Sequence, residues 1–323
     1  MQELVKVKQL TSSFGIYQHG DLGRPDPKFG YALEDQARAL LVAEEFSEKE
    51  LADIYFNFLI NSLGENGKIY QFFYDKDGGI SPDKERECSD DALGMTAWAL
   101  LKTKKEHSNK EKIVELIYKK IEKSEHLRAS AYLLLGLTDK SNSQLEDKLI
   151  KKILTAYRES GGWKWFEDCL VYGNALLPWA LWKRGRIRKD KESLGIAEKT
   201  THFLLEKCQD KGLPLPIGCN GWHAKGGIIN KYDQQPVDVA YMICCLEEAY
   251  LATNDKYYLD QATNWWGWFW GKNTRGVRVI DENGACFDAV TEKEEKVNLN
   301  QGAESNICFL MAYLTAKRLG LAK

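Results

Sequence analysis

Acidic and amide side chains gather at several points in this chain, each at or near the start of an apolar stretch. Asp233-Gln234-Gln235-Pro236 precedes one such stretch, and Asp238 lies just inside it. A protonated carboxyl group can donate a proton to a leaving oxygen, while a second carboxylate activates water or attacks carbon. Our candidates for proton transfer are Asp35, Asp91, Asp168, Asp233 and Glu304.

Three long loops add aromatic rings and hydrogen-bonding groups before or after these acids, within 14–31, 161–174 and 218–235. Aromatic faces stack on the C–H faces of sugars, and carboxylates, amides and guanidinium groups bond to hydroxyls. We therefore expect a sugar-binding rim. Its predicted substrate-binding residues are Tyr17, His19, Asp21, Arg24, Asp90, Trp163, Trp165, Glu167, Tyr172, Asn174, Trp222, His223, Gln234, Gln235, Asp238 and Gln301.

Helix capping is the alternative explanation for the same polar residues. Short acidic or amide side chains accept hydrogen bonds from free N–H groups at helix starts and interact well with the helix dipole. A cap uses one short side chain, so acid pairs are in excess of what capping requires. We expect capping to account for Asp233, but glutamine is a poor cap and Asp238 lies inside the helix.

Two kinds of helical pattern alternate and would position these residues. Stretches that are apolar nearly all round predict helices enclosed by protein, and stretches with one apolar face predict helices at the surface. The enclosed segments are 35–46, 92–101, 129–137, 174–182, 237–246 and 307–314, and the amphipathic segments are 47–63, 110–123, 143–160, 192–208 and 256–270. This order predicts an all-α (α/α)6 toroid, with six inner helices ringed by outer helices.

In such a toroid the inner helices run parallel, so their N-termini share one rim. One outer position is left over, which the N-terminal segment fills or which stays incomplete. We expect a single domain over residues 1–323, and a minor β-hairpin over 277–290 that turns at Asn283-Gly284.

Composition excludes several classes of function. There are 45 basic and 47 acidic residues, so the net charge of −2 gives no reason to expect nucleic acid or an anionic membrane as partner. No apolar run approaches the ~20 residues of a membrane span. The eight cysteines are scattered, without ligand spacing, which predicts reduced thiols, a cytoplasmic location, and neither a metal nor a cofactor.

Five blocks of the sequence, taken together, resemble a group of bacterial all-α proteins in the six-hairpin glycosidase superfamily. They are "FGIYQHGDLGRPDPKFGYALEDQARAL", "SDDALGMTAWALL", "WKWFEDCLVYGNALLPWAL", "YDQQPVDVAYM" and "NLNQGAESNICFLMAYL". The resemblance spans residues 13–318 and implies an (α/α)6 toroid with a carbohydrate-related activity. Such proteins are often encoded beside or fused to glycosyltransferases, which makes a glycosyltransferase an expected partner.

Three functions remain open from the sequence. The leading hypothesis is a glycoside hydrolase or phosphorylase that cleaves an oligosaccharide with inversion, with Asp91 and Asp168 as its acid/base pair. The second is a sugar 2-epimerase of the N-acylglucosamine type, for which His19 and His223 are the available bases. The third is a non-catalytic, sugar-binding partner of a glycosyltransferase.

Overall fold

The computed structural model describes residues 3–76, 79–138 and 143–322. Helices dominate the described chain. They are α1 (Val5–Leu10), α2 (Leu33–Glu45), α3 (Lys49–Asn61), α4 (Asp90–Lys102), α5 (Ser108–Lys123), α6 (Leu127–Gly136), α7 (Ser143–Ala156), α8 (Leu176–Arg188), α9 (Lys191–Lys207), α10 (Pro236–Thr253), α11 (Lys256–Gly267) and α12 (Ala303–Arg318). A single 3-10 turn covers Pro27–Phe29.

Burial separates the helices into the two predicted kinds. All ten residues of α6 are buried, and in α4 every residue from Ala92 to Leu100 is buried. In α5, by contrast, the buried residues are Ile113, Val114, Ile117 and Ile121, which share one face. Each large apolar side chain removed from water stabilises the fold by about 1.5–3 kcal/mol. The alternation of enclosed and amphipathic helices is confirmed.

Contacts between residues group the chain into two compact units. The first contains Glu3–Ile150 and Asn300–Ile307, and the second contains Lys151–Leu299 and Cys308–Lys323. The prediction of one domain over 1–323 stays a prediction.

In the first unit, α2 packs against α3 and α4, and α4 packs against α5 and α6. Gly94 and Gly136 make the approach of α4 to α6 possible. A Cβ atom at Gly94 would lie 2.6 Å from the carbonyl oxygen of Ala129, and one at Gly136 would lie 2.7 Å from the Cα of Trp98. Because both contacts are with backbone atoms, any larger residue would force the two helices apart.

In the second unit, α8 packs against α9 and α10, and α10 packs against α11. The indole N–H of Trp182 on α8 donates to the hydroxyl of Thr201 on α9 at 2.9 Å. Trp179 on α8 faces Tyr241 on α10, with ring centroids 5.8 Å apart. Four enclosed helices, α2, α4, α8 and α10, are thus each followed by an amphipathic helix that packs against it.

Short antiparallel strands occupy the loops before the enclosed helices. They are β1 (Gly20–Asp21), β2 (Arg24–Pro25), β3 (Tyr31–Ala32), β4 (Phe72–Lys76), β5 (Gly79–Pro82), β6 (Arg158–Ser160), β7 (Trp163–Trp165), β8 (Cys169–Leu170), β9 (Gln209–Asp210), β10 (Leu213–Pro214), β11 (His223–Ala224), β12 (Ala289–Val290) and β13 (Val297–Asn298). Strands β3, β4 and β5 form one three-stranded sheet, and the others pair two by two, with β8 against β11. The sequence pattern predicted only one hairpin, because two-residue strands carry too little alternation to detect.

The predicted hairpin over 277–290 differs in its turn. Asp281 pairs with Ala285 through a 2.9 Å backbone bond, and the N–H of Gly284 donates to the carbonyl of Asp281 at 3.2 Å. Three residues therefore close the loop, rather than the two-residue Asn283-Gly284 turn. Gly284 has φ of 85°, which suits the left-handed residue that ends a three-residue loop. The arms form isolated bridges, including Ile280 with Cys286, instead of continuous strands.

The N-terminal segment forms α1, which contacts α3. Lys8 pairs with Glu48 at 2.9 Å just before α3, and the hydroxyls of Thr11 and Tyr55 lie 2.7 Å apart. Among the described residues, no helix is long and apolar enough to cross a membrane.

Candidate functional site

The first turn of α2 carries a buried carboxylate–guanidinium pair in the first unit. Asp35 is 3% exposed, and its Oδ1 accepts a hydrogen bond from Nη2 of Arg38 at 2.9 Å. The same Nη2 atom lies 2.7 Å from Oε2 of Glu304 in the first turn of α12. The side chain of Glu304 is 40% exposed, whereas that of Arg38 is 3% exposed. A buried guanidinium therefore holds an accessible carboxylate.

Burial shapes the protonation of the acids on α2. It raises the pKa of Asp35, and the positive charge of Arg38 opposes that rise. Burial and the neighbouring charge of Asp35 raise the pKa of Glu34 to about 7. Glu34 is thus protonated in a large fraction of molecules near neutral pH, as a proton donor in catalysis must be.

Gln71 joins the start of α2 to the start of α4. Its Nε2 donates to both carboxyl oxygens of Glu34, at 3.0 and 3.1 Å. Its Oε1 accepts the backbone N–H of Ser89 at 2.9 Å, and its own carbonyl accepts the N–H of Leu33 at 2.9 Å. Gln71 is 7% exposed. One buried amide thus fixes the residues before Asp90 and Asp91 relative to Glu34.

The two acids of α4 do not cap their helix. Ser89 is the N-cap, and its hydroxyl accepts the N–H of Ala92 at 3.2 Å. Asp90 lies 3.9 Å from Nζ of Lys120 on α5. Asp91 is half-buried in the first turn. Since Ser89 supplies the cap, capping does not explain the acid pair.

The loop before α2 presents several of its predicted binding residues at the surface. His19, Asp21 and Arg24 are exposed, and His19 packs edge-on against Phe29 with ring centroids 5.3 Å apart. The charge of His19 acts on Asp35 and lowers its pKa, against the effect of burial. Tyr17 is half-buried and stacks on Tyr31 at 4.6 Å.

Gln301 is buried beside this loop. A Cβ atom at Gly23 would lie 2.4 Å from Oε1 of Gln301, and the φ of Gly23 is 80°. Gln301 therefore packs against the turn between β1 and β2, where only glycine fits easily.

In the second unit, the predicted aromatic platform is part of the core. Trp165 is 0% exposed and Trp163 is 5% exposed, and both rings pack on Phe203 of α9. The indole N–H of Trp163 donates to the carbonyl of Glu167 at 2.8 Å. The prediction that these two rings stack on a sugar is wrong, because both rings are buried. They fix the loop that carries Glu167 and Asp168.

Asp168 lies at the surface of that loop. Its side chain is 91% exposed, and its Oδ1 lies 3.9 Å from Nζ of Lys225. The backbone of Lys225 also donates to the carbonyl of Asp168 at 2.9 Å, next to the pairing of β8 with β11. The side chain of Glu167 is half-buried.

Near Asp168, Tyr172 is exposed and Trp222 is half-buried. Tyr172 is 40% exposed, and its ring centroid lies 6.3 Å from that of Trp222. His223 is instead 6% exposed and packs edge-on against Trp163. Burial lowers the pKa of His223. The Tyr172–Trp222 pair is therefore the accessible aromatic surface in this part of the second unit.

Asn174 and Asp238 hold the loop before α8. The helix begins at Leu176, so Asn174 lies in the preceding turn rather than at the helix start. Its amide exchanges two hydrogen bonds with the backbone of Val171. Oδ1 of Asp238, which is 7% exposed, accepts the N–H of Gly173 at 2.8 Å. These bonds give both residues a structural role.

The stretch Asp233-Gln234-Gln235 contains three different environments. Gln234 is 0% exposed, and its Nε2 donates to the carbonyl of Lys231 and the hydroxyl of Thr274, while its Oε1 accepts the indole N–H of Trp268. The prediction that Gln234 binds sugar hydroxyls is corrected, because its amide is already saturated within the fold. The N-cap of α10 is Gln235, so the expected capping by Asp233 is wrong too.

Asp233 and the side chain of Gln235 are both half-buried. Gln235 makes no side-chain capping bond. These two residues therefore remain candidates for contact with a ligand.

Sequence reasoning missed Arg38 and Gln71. Both carried a signal, because each is a polar residue inside an otherwise apolar stretch, "ARALLVA" and "IYQFFY". Arg38 also follows Asp35 at the spacing that brings helical side chains together.

The cysteines behave as expected. All eight are free thiols, five of them buried. Within the described part of the chain, no group of three or more His, Cys, Asp or Glu side chains could hold a metal ion.

Comparison with known proteins identifies the fold. The chain matches the crystal structure of a D-mannose isomerase with a TM-score of 0.75 and 14% identity, covering 98% of this chain and 96% of that one. A sugar epimerase from a ruminal bacterium matches with a TM-score of 0.72 and 16% identity, over 97% of each chain. The GH76A α-1,6-mannanase from Salegentibacter sp. HEL1_6 matches with a TM-score of 0.65 and 12% identity, over 98% of this chain and 97% of that one.

No protein-family model matches this sequence. No curated protein matches it either. These structural neighbours share at most 16% identity with this chain, and the likeness shows its fold. The fold class is therefore all-α, an (α/α)6 toroid with few small strands, as the sequence predicted.

Proposed function

We propose that this chain is an enzyme that acts on a sugar or oligosaccharide by acid/base catalysis with carboxyl groups. The observation that carries the proposal is the grouping of Glu34, Asp35 and Glu304 around Arg38. Glu34 has a raised pKa and can donate a proton, while Glu304 is an ion-paired carboxylate open to solvent. Two carboxyl groups in such unlike environments are what acid/base chemistry requires.

Cleavage of a glycosidic bond is the leading reaction. One carboxylic acid protonates the leaving oxygen, and one carboxylate directs water, or phosphate in a phosphorylase, to the anomeric carbon. A likeness in fold to an α-1,6-mannanase supports this class. Asp91, Asp168 and Asp233 each stay a proposed catalytic acid, and an inverting outcome stays proposed. Tyr172 and Trp222 offer an aromatic face for a sugar ring.

The test measures release of reducing ends from a panel of oligosaccharides, with and without inorganic phosphate. Glu304→Gln should lower turnover by about 10²–10⁴-fold, which is the usual contribution of a general acid or base. Glu50→Gln, an exposed acid in the first turn of α3, is the matched control and should not change it. Full activity in Glu304→Gln would overturn the role of this cluster. Near-normal turnover in Asp91→Asn or Asp168→Asn would remove that residue.

Epimerisation or isomerisation of a free sugar is the second candidate. It needs a base that removes the proton at C2 and an acid that returns one. His19 favours it, because its ring is exposed and a neutral imidazole can remove such a proton. A likeness in fold to a D-mannose isomerase and a sugar epimerase supports it as well. Deuterium entering C2 from heavy water, and its loss in His19→Asn, would decide for this reaction.

A non-catalytic role is the remaining alternative. Sugar binding without turnover, unchanged by substitution of Glu304, would instead support a sugar-binding partner of a glycosyltransferase. The free thiols support the reducing cytoplasm as the location of the protein, whether it is an enzyme or a binding partner.

A further inference from the structure

A pocket of about 390 Å³ opens in the second unit, between α9, α11 and the hairpin of β9 and β10. None of the candidate residues described above lines it. Its volume lies within the range of roughly 300–1,000 Å³ that small-molecule sites occupy. It lies on two amphipathic helices, so it is a separate feature from the N-terminal turns of the enclosed helices.

Apolar and aromatic groups line one side of this pocket. Trp265 is 3% exposed and Leu205 is 8% exposed, and Pro214 of β10 is also buried. At the edge, the rings of His202 and Tyr257 stack with centroids 5.2 Å apart. Tyr257 is 38% exposed. The buried residues support this side, and the exposed ring of Tyr257 offers a face for the C–H groups of a ligand.

Amide and carboxylate groups line the other side. Asn264 donates to the carbonyl of Gly212 at 3.1 Å, and Gln209 accepts the N–H of Gly212 at 3.0 Å, so the hairpin orients both amides. The amide of Gln261 makes no hydrogen bond to any residue that the structure describes. Glu206 is exposed beside it. Amides both donate and accept, which is the property that hydroxyl-rich ligands require.

This pocket differs in the charge of its lining from two pockets in the first unit. Pockets of about 400 and 630 Å³ in the first unit are each lined by four basic residues. Among its described lining residues, the pocket on α9 and α11 contains no lysine or arginine, and its one carboxylate, Glu206, forms an ion pair with Lys207 at 2.8 Å. With that carboxylate paired, the pocket offers no net charge to an anion, which suits a neutral ligand.

We propose that this pocket is an auxiliary binding site for a neutral oligosaccharide, distinct from the place of reaction. Gln261 and Glu206 bond to its hydroxyls, and the exposed ring of Tyr257 receives its apolar faces. The proposal rests on the proposed function only in its choice of a sugar as ligand. Such a site would hold a long substrate on the enzyme and raise its local concentration.

The experiment measures binding to Glu304→Gln, which removes turnover as a complication. The neutral probes are cellotetraose, maltotetraose and α-1,6-mannotetraose, and the anionic probe is trigalacturonic acid. Titration calorimetry gives the affinity, and native mass spectrometry gives the stoichiometry. The test variant, called the Gln261/Glu206 variant, carries Gln261→Ala and Glu206→Ala in addition to Glu304→Gln. Asp260→Ala, an exposed neighbour on α11 outside the pocket, is the matched control.

We expect at least one of the three neutral tetrasaccharides to bind. Its affinity should fall about tenfold or more in the Gln261/Glu206 variant, because two hydrogen bonds are lost. The Asp260 control should bind unchanged. Equal affinity in both variants, binding of the anionic probe alone, or binding of no probe would overturn the site. Failure of the proposed function would show separately, as absent turnover in the wild type.

Discussion

The guanidinium of Arg38 lies 2.7 Å from the carboxylate of Glu304, which joins α2 to the first turn of α12. Arg38 also pairs with Asp35 at 2.9 Å, so one buried cation serves two acids. Removing a single member of a buried ion pair leaves its partner uncompensated in a medium that solvates charge poorly. The cluster is therefore sensitive to single substitutions.

Arg38→Leu should lower the free energy of unfolding by about 3–5 kcal/mol, because Asp35 would then be a buried acid without its cation. Urea denaturation measures the change. Adding Asp35→Asn to Arg38→Leu should restore part of the loss, since the second acid is then neutral. Arg24→Leu removes an exposed arginine and should change stability by less than about 0.5 kcal/mol. An equal loss in the single and double variants would contradict this account.

Because the pKa of Glu34 is raised in the folded state, the free energy of unfolding depends on pH. Its folded pKa of about 7 exceeds the ordinary value of 4.5. Between these values the folded state binds more protons than the unfolded state, so the contribution of Glu34 to stability falls as pH rises and levels off above about 7. Glu34→Gln should gain about 1–3 kcal/mol relative to wild type between pH 5 and pH 8.

Urea denaturation at pH 5 and pH 8 checks this, with Glu50→Gln as the exposed-acid control. A constant difference between wild type and Glu34→Gln at both pH values would show that Glu34 has an ordinary pKa.

Gln71→Leu should raise the pKa of Glu34 further. The amide of Gln71 donates to both oxygens of Glu34 and so stabilises the ionised form. Carbon-13 NMR of glutamate-labelled protein measures the titration directly, with the Glu34 signal assigned by its absence in Glu34→Gln. If the protein is active, the matching limb of its pH profile should move to higher pH. An unchanged or lowered pKa would remove Gln71 as a positioning residue.

Gln234 and Gln235 form a matched pair, since they are adjacent and identical in chemistry. Gln234→Ala should destabilise the protein by about 2–4 kcal/mol, because it leaves the indole N–H of Trp268 and the hydroxyl of Thr274 without partners in the interior. Gln235→Ala should change stability by less than about 0.5 kcal/mol. Thermal and urea unfolding compare them. A larger effect at Gln235 would reverse the assignment.

The sequence by itself determined the fold class and the order of its helices. Enclosed helices must be apolar on every side and outer helices on one side only, and this difference is visible in the letters of α4 and α5. The acids near the starts of α2, α4 and α12 were likewise visible, because each interrupts an apolar pattern. The choice between capping and another role was not visible, since only the structure shows that Ser89 caps α4.

Only the tertiary structure decided which polar residues the fold itself consumes. Gln234 and Gln235 look alike in sequence. The amide of Gln234 makes hydrogen bonds to three residues of the fold, whereas the side chain of Gln235 makes no capping bond. Trp163 and Trp165 could have faced a sugar, but α9 covers them. The role of Arg38 is visible only from its ion pair with Glu304, which lies near the other end of the sequence. Hydrogen bonding and burial depend on partners brought together by folding, and a linear pattern does not contain those partners.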